Sequence, residues 1–395
     1  MRRSRKPIVI ASRTSRLARV QAEMVAKALQ RLHPQLVVEF HWIVSEGDKV
    51  TEGSLADVGG KGLFTRGVDQ AVADGTADLA VHSLKDLPVD PAEAMPGLVL
   101  AAVPKRAMVQ DCLVTAQQHA RLEDLPEAAV VGTSSPRRAA QLRQVRADLD
   151  VRLIRGNVDT RLKKVLSPDS RYDATLLAAA GLRRLQLKEH AQHPLPLDQL
   201  LPAASQGAIG LRCRATDHVT LTRCLPLNSA ASSTAVMHER ELVRLLQADC
   251  YSPIAVLAEP VDPARTQAKR NADSHWFRLR ARVCSTDGQR VLHVDETCKT
   301  RDMRRCVKDV AQRLLDDGAA ELLQQAQQFT IPPVTATPPA PDAPKTPPSP
   351  PTARPTSTST FKSSDHLSPA PSPAVPPPAR RRQAASPSDA VVSAE

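Results

Sequence analysis

Aromatic residues are scarce in this 395-residue chain, which has two Trp, two Tyr and five Phe. Stacking on aromatic faces is the usual platform for single-stranded nucleic acid, so that mode of binding has little support. The core has to be built from Leu, Val, Ile and Ala instead. No apolar run approaches the ~18 residues that span a bilayer. Near the basic N-terminus the apolar stretch Ile8 to Ala11 is four residues long, where a secretory signal needs about 7–15. A membrane role is therefore not expected, and the chain is expected to be cytoplasmic. The seven cysteines are odd in number and include no C-x-x-C pair, which disfavours a disulfide framework and a zinc knuckle.

Proline, by contrast, is abundant but uneven: residues 331–395 hold 18 of the 34 prolines. That segment is otherwise Ala, Ser and Thr, with almost no large apolar residues. It cannot offset the ~1–2 kcal/mol per residue that ordering a backbone costs, and a disordered tail is expected. The preceding 330 residues suffice for two or three domains at roughly 150 residues each. Lys and Arg outnumber Asp and Glu by 11. The surplus alone would suit a nucleic-acid partner, but the arginines are scattered and no nucleic-acid motif accompanies them.

The first segment reads as strand, helix, strand, helix. Ile8 to Ala11 is a strand. Leu17, Val20, Met24, Ala28, Leu29 and Leu32 recur at helical spacing and predict a helix over Ser15–Leu32 with that face buried. A strand near 36–44, a Gly-punctuated stretch at 58–62, a helix near 64–73 and a strand over 78–82 follow. The second segment repeats the rhythm: Val130-Val131, a helix from Pro136 to Val145, a strand at 151–154, a helix from about Asn157 and a strand over 172–179. Residues 201–213 read as a return strand. A third unit has a helix near 234–247, strands at 254–257, 276–283 and 290–294, a polar insertion at 262–274 and a last helix after Met303. The alternation is the α/β signature.

Polar and basic residues gather where strands end. In Gly132-Thr133-Ser134-Ser135-Pro136-Arg137-Arg138, Ser135 fits an N-cap and Pro136 the first helical position. A helix N-terminus offers free N–H groups and positive potential to an anion. Thr133 and Ser134 add hydroxyls, and Arg137 and Arg138 add forks that pair with carboxylates. Arg155-Gly156-Asn157-Val158-Asp159-Thr160-Arg161 repeats the arrangement, and Arg13 and Ser15 follow the first strand. Ligands of open parallel sheets collect outside the carboxyl ends of strands, so a small ligand with several carboxylates or phosphates is expected. Asp86, beside Lys85, is the odd acid in this basic setting and a candidate for proton transfer or for binding N–H donors. Cys250, in a turn-like segment, is either an ordinary thiol or a covalent attachment point.

Six stretches taken together resemble the porphobilinogen deaminase (hydroxymethylbilane synthase) family: 58–64, 80–88, 132–138, 155–161, 180–184 and 201–207, in order and with family-like spacing. The resemblance covers Ile8 to Gln328. It implies an α/β protein with two periplasmic-binding-protein-like α/β domains and a smaller α/β third domain. Domain 1 would be 1–105 with 201–220, domain 2 would be 106–200 and domain 3 would be 221–330, before the 331–395 tail. It implies a transferase that condenses four porphobilinogens head to tail on a covalent dipyrromethane cofactor, losing ammonia each time, and then releases hydroxymethylbilane by hydrolysis. The implied catalytic pair is Asp86 and Lys85, with Asp86 holding pyrrole N–H groups and stabilising a cationic azafulvene-like intermediate. Cys250 would carry the cofactor by a thioether. Asp86, Lys85, Ser83, Thr133, Ser135, Arg137, Arg138 and Arg161 would surround it. Substrate carboxylates would be met by Arg13, Ser15, Arg155, Arg161, Arg184 and Lys61.

No metal, nucleotide or flavin is implied. The expected partner is porphobilinogen itself, with the protein a monomer and its product passed to uroporphyrinogen-III synthase. The competing reading is a non-catalytic small-anion-binding module of the same fold, which would need neither Asp86 nor Cys250. Arg16 stands where the family usually has Pro, Gly67 where it has Glu, Gln110 where it has Arg, Ser205 where it has Gly, and Ala248-Asp249 where it has Gly-Gly.

Overall fold

The computed structural model describes residues 6–49, 62–117, 121–191, 193–249, 251–261 and 276–334. The stretch at 58–61 with Lys61, the thiol of Cys250, the insertion at 262–274 and the tail from 335 lie outside the described residues. Three sheets organise the chain. The first unit contains β1 (Ile8–Arg13), α1 (Arg16–Leu32), β2 (Val38–Ile43), a short α2 (Glu46–Lys49), α3 (Arg66–Ala73), β3 (Leu79–Ser83) and β4 (Leu98–Ala102). The chain then crosses to β5 (Asp111–Thr115), β6 (Val130–Gly132), α4 (Pro136–Val145), β7 (Asp150–Arg152), α5 (Val158–Leu166), β8 (Ala174–Ala178) and α6 (Ala179–Arg184). It returns as β9 (Ile209–Arg214), which lies antiparallel between β3 and β4 in the five-stranded order β2-β1-β3-β9-β4. The second sheet runs β5-β8-β6-β7.

After β9 come α7 (His218–Cys224), α8 (Ala230–Leu245), the antiparallel β10 (Ile254–Val261), β11 (Trp276–Cys284) and β12 (Val291–Lys299), then α9 (Met303–Asp316) and α10 (Ala319–Gln327). The third core packs α8, α9 and α10 on one face of this sheet. Its Phe277 is the one aromatic among the described residues that is fully interior. Leu, Val, Ile and Ala fill the remainder, as the aromatic shortage requires.

The two crossings between the first and second sheets touch at Gly207, whose φ is +84°. A Cβ there would sit 2.7 Å from the carbonyl oxygens of Ala107 and Met108, so only glycine lets the segments pass so closely. The return segment 201–207 is a loop rather than the strand expected, and regular pairing starts at Ile209.

Two expectations change in detail. Helix α1 forms where periodicity places it, but it buries Ala18, Gln21, Ala22, Val25, Ala26 and Leu29. Met24 and Leu32 are exposed, so the helix is rotated from the expected face. The chain also stays ordered beyond 330. Ile331 is buried in the second core, and the Leu153 N–H donates to the Pro332 carbonyl at 2.8 Å.

Candidate active site

Strand β3 delivers the acid. Its last residue, Ser83, exchanges hydrogen bonds with Gln21 of α1, and the chain turns at once through Leu84, Lys85 and Asp86. The turn is held by Arg240 of α8, which also lines the larger hollow described below and whose guanidinium donates to the carbonyls of Leu84, Leu87 and Pro88. Beneath β3, buried Asp69 joins His82 and Arg212, fixing the strand on α3 and β9.

Asp86 and Lys85 border two adjoining hollows. The larger, about 850 Å³, is walled by the 84–90 turn, Ser134 and Ser135 with Arg137, Arg138 and Arg161, and the α8 end with Ala248, Asp249 and Ser252. The smaller, about 110 Å³, takes Arg13, Ser15, Ser83, Phe64 and Asn157. Cys250 lies outside the described residues, but both its neighbourhoods in sequence, Asp249 and Ser252, face the larger hollow. The Asp249 carboxylate accepts from the Tyr251 N–H and the Ser252 hydroxyl, both at 2.9 Å. That side chain ties the loop together where the family usually has glycine.

The arginine forks do meet a carboxylate, but it is the protein's own Asp111. Pro136 starts α4 with Ser135 at the cap position, yet the Ser135 side chain makes no capping bond and stays directed to the site. Arg137 and Arg138, in the first turn, are buried and share one carboxylate. Arg137 reaches Asp111 Oδ2 at 2.8 Å and Arg138 reaches Oδ1 at 2.6 Å. Each also donates to a carbonyl, of Leu201 and Leu176 respectively. Their Nε groups are buried and unpartnered among the described residues.

Gln206 completes the layer. It donates to Asp111 and to the Val109 carbonyl, and accepts from Lys85 Nζ at 3.3 Å. Burial would raise the Asp111 pKa, but Arg138 and Arg137 outweigh it and hold that carboxyl far below the usual range. Burial, followed by the Arg138 charge, pushes Lys85 down to about 8. Three cations, Lys85, Arg137 and Arg138, thus stand near two carboxylates, Asp111 and Asp86, and the one positive charge in excess is what a ligand carboxylate would relieve.

The other expected residues scatter more. Thr133 is fully buried, and its hydroxyl accepts from the Ser135 N–H at 3.1 Å, shaping the turn from inside. Arg161 donates to the Ser134 hydroxyl at 3.1 Å, and burial with nearby Arg138 lowers it to about 10. Arg155 is close enough to depress Arg161 further. Arg13 forms a bidentate pair with Asp48 and lies 4.4 Å from the Phe64 ring centroid, so much of its charge is already matched. Arg184 lines neither hollow. It donates to the Gly207 carbonyl at 2.7 Å and borders a separate pocket behind α1.

Sequence reasoning missed Asp111, Ser134's contact with Arg161, Gln206 and Arg240. It also missed Arg106, which pairs bidentately with fully buried Glu239 of α8. Glu239 further accepts from the N–H groups of Ser205 and Ala258, so one carboxylate ties a crossing segment, the return loop and the third sheet. Only Asp111 carried a signal, as a lone acid next to a position usually basic.

Among the described residues no group of acids, histidines and cysteines is placed to hold a metal ion. None of their helices is long and apolar enough to cross a membrane. Residues 8–222 match the family model for "Porphobilinogen deaminase, dipyromethane cofactor binding domain". The chain is 41% identical over 318 residues to the porphobilinogen deaminase of Neisseria meningitidis serogroup A, covering 80% of this chain and 96% of that one. It is 42% identical over 319 residues to that of Ralstonia nicotianae, covering 80% and 90%. With the matched region spanning more than half of the chain and these relatives aligned nearly end to end, the chain belongs to the porphobilinogen deaminase family.

Proposed function

We propose that Asp86 is the catalytic acid of a porphobilinogen deaminase. It works where the two hollows meet, with the growing chain in the larger and the incoming monomer in the smaller. The observation that carries this reading is the placement of one carboxylate on the shared wall of two cation-lined spaces. The reaction joins four porphobilinogens head to tail with loss of ammonia and ends in hydrolysis to hydroxymethylbilane. The donor set of the larger hollow suits a dipyrromethane bearing acetate and propionate groups: two serine hydroxyls, Arg137, Arg138, Arg161 and Lys85. When bound through Cys250, that group supplies the pyrrole carbon onto which units are added.

The residues of this chain do the positioning. Arg137, Arg138, Arg161 and Ser135 hold carboxylates. Arg13 and Ser15, which line the smaller hollow, are assigned to those of the arriving monomer together with Arg155 and Lys61. The Asp86 carboxylate accepts pyrrole N–H groups, keeps the ring facing the reacting carbon and offsets positive charge as ammonia leaves. Lys85, with its lowered pKa, can give up a proton near neutral pH more readily than an ordinary lysine. The protein is inferred to act in the cytoplasm as a monomer and to pass its product to uroporphyrinogen-III synthase.

Intact mass measurement tests the attachment. Protein from a haem-competent host should carry a two-pyrrole adduct that is absent from Cys250→Ser. An unmodified mass in folded wild-type protein would overturn Cys250 as the anchor. Asp86→Asn should keep the adduct while ammonia release falls by about 10²–10⁴; near-normal release would remove Asp86 from catalysis.

A further inference from the structure

Behind α1 lies a hollow of about 930 Å³ that shares no lining residue with the two hollows at Asp86. Its walls are α1, the crossing at Pro104, Lys105 and Ala107, helix α6 with the 185–187 turn, and Ile209 of β9. The apolar part includes Val20, Met24 and Ala28, the stripe of α1 that periodicity placed in the core and that the sheet leaves uncovered. Met24 is 44% exposed. A long apolar side chain held open to water in a concavity is a feature of binding sites rather than of ordinary surface.

The rim is basic. Arg16, Lys27, Arg31, Lys105, Arg183 and Arg184 border the hollow, with Glu23 its one acid. Lys27, Lys105 and Arg183 have no ion-pair partner among the described residues, whereas Arg16 pairs with Asp159. Burial lowers Arg184 to about 10, with no carboxylate among the described residues offsetting it. Apolar wall and cationic rim select different parts of one molecule. An inorganic anion would leave the wall wet, and a neutral apolar ligand would leave the cations unmatched.

We propose that this hollow binds an amphipathic organic polyanion, an apolar ring or chain frame carrying two or more carboxylates. The first crossing borders it, with α1 and Ile209 of β9 on one side and α6 on the other, so its occupant would touch elements of the first two units at once. Nothing in the deaminase reading requires such a site, and the two stand or fall separately.

Coproporphyrin, an apolar macrocycle with four carboxylates, serves as the probe in a fluorescence-anisotropy titration of the full chain. Saturable binding is expected, and Lys27→Glu with Arg183→Glu should weaken it about tenfold or more, as loss of charge-assisted contacts implies. Val20→Ser with Met24→Ser should also weaken it several-fold. All four side chains lie outside the catalytic cleft, so ammonia release by both double variants should stay near wild type and report that they fold. Unchanged affinity in the charge-reversed variant would overturn the site. Loss in that variant with no loss in the serine pair would overturn the amphipathic class, as would equal competition by inorganic phosphate at matched ionic strength.

Discussion

Ser205 is fully buried at a φ of +64°, and its hydroxyl has no hydrogen-bond partner. A side chain in the left-handed region costs about 1–2 kcal/mol, and an unsatisfied buried hydroxyl about 1–3 kcal/mol. Glycine would remove both penalties while adding about 0.5–1 kcal/mol of unfolded-state freedom. Ser205→Gly should therefore stabilise the protein by about 1 kcal/mol, read as a higher urea midpoint. A lower midpoint would show that the hydroxyl is engaged after all. Lys85 makes a second prediction at this scale. With a native pKa of about 8, below that of an unfolded lysine, the unfolded chain binds more protons between about pH 8 and 10.4. The stability contribution of Lys85 is thus most unfavourable below pH 8 and improves as pH rises through that window. Anion binding runs the other way, since the cleft loses a cation as pH passes 8. The free-enzyme kcat/KM should fall across pH 8, and Lys85→Arg should shift that fall above pH 9. An unshifted profile in the arginine variant would assign the limb to another group.

Elements place these side chains, and the turn after β3 shows how. Its conformation depends on α8, because Arg240 gathers three carbonyls from residues 84–88. One ammonium cannot replace that planar fork. Arg240→Lys should lower kcat about tenfold and change KM less than threefold, as expected of a positioning residue acting through Asp86. A raised KM with unchanged kcat would mean that Arg240 binds substrate directly. The elements themselves were readable where a local signal was strong. Helix α4 starts at Pro136 and ends at Val145 as expected, because proline at the first helical position is a local feature. Helix α1 had the right extent and the wrong face. Val20, Met24 and Ala28 form an apolar stripe of their own, and the buried Ala18, Ala22 and Ala26 contribute little hydrophobic contrast. Which stripe goes inside is decided by the sheet. Strands β4 and β5 carried no alternation to betray them, since β5 is buried throughout.

At the scale of the molecule, the positive surplus is distributed more subtly than charge counting implies. Arg137 and Arg138 were identifiable as site residues because they begin a helix at a strand end. Their mutual counter-ion was not, because Asp111 comes from another strand and no spacing rule connects them. The same holds for Arg106 and Glu239, whose pairing across more than a hundred residues exists only once the crossing segments and the third sheet meet. Composition set the edge of the tail a few residues early. Phe329 lies 5.3 Å from the Arg143 guanidinium, Ile331 is 4% exposed in the second core, and the Pro332 carbonyl accepts from Leu153. Burial of an isoleucine contributes about 1.5–3 kcal/mol and the hydrogen bond about 1 kcal/mol. A chain ending at Gln328 should accordingly lose about 2–4 kcal/mol in urea unfolding, whereas one ending at Val334 should match the full-length protein. Ammonia release at a temperature where both are folded should be alike, because residues 329–334 border neither hollow at Asp86. Equal urea midpoints for the two truncations would mean that Ile331 packs on the second core without supporting it, and a loss confined to activity would tie this segment to the site instead.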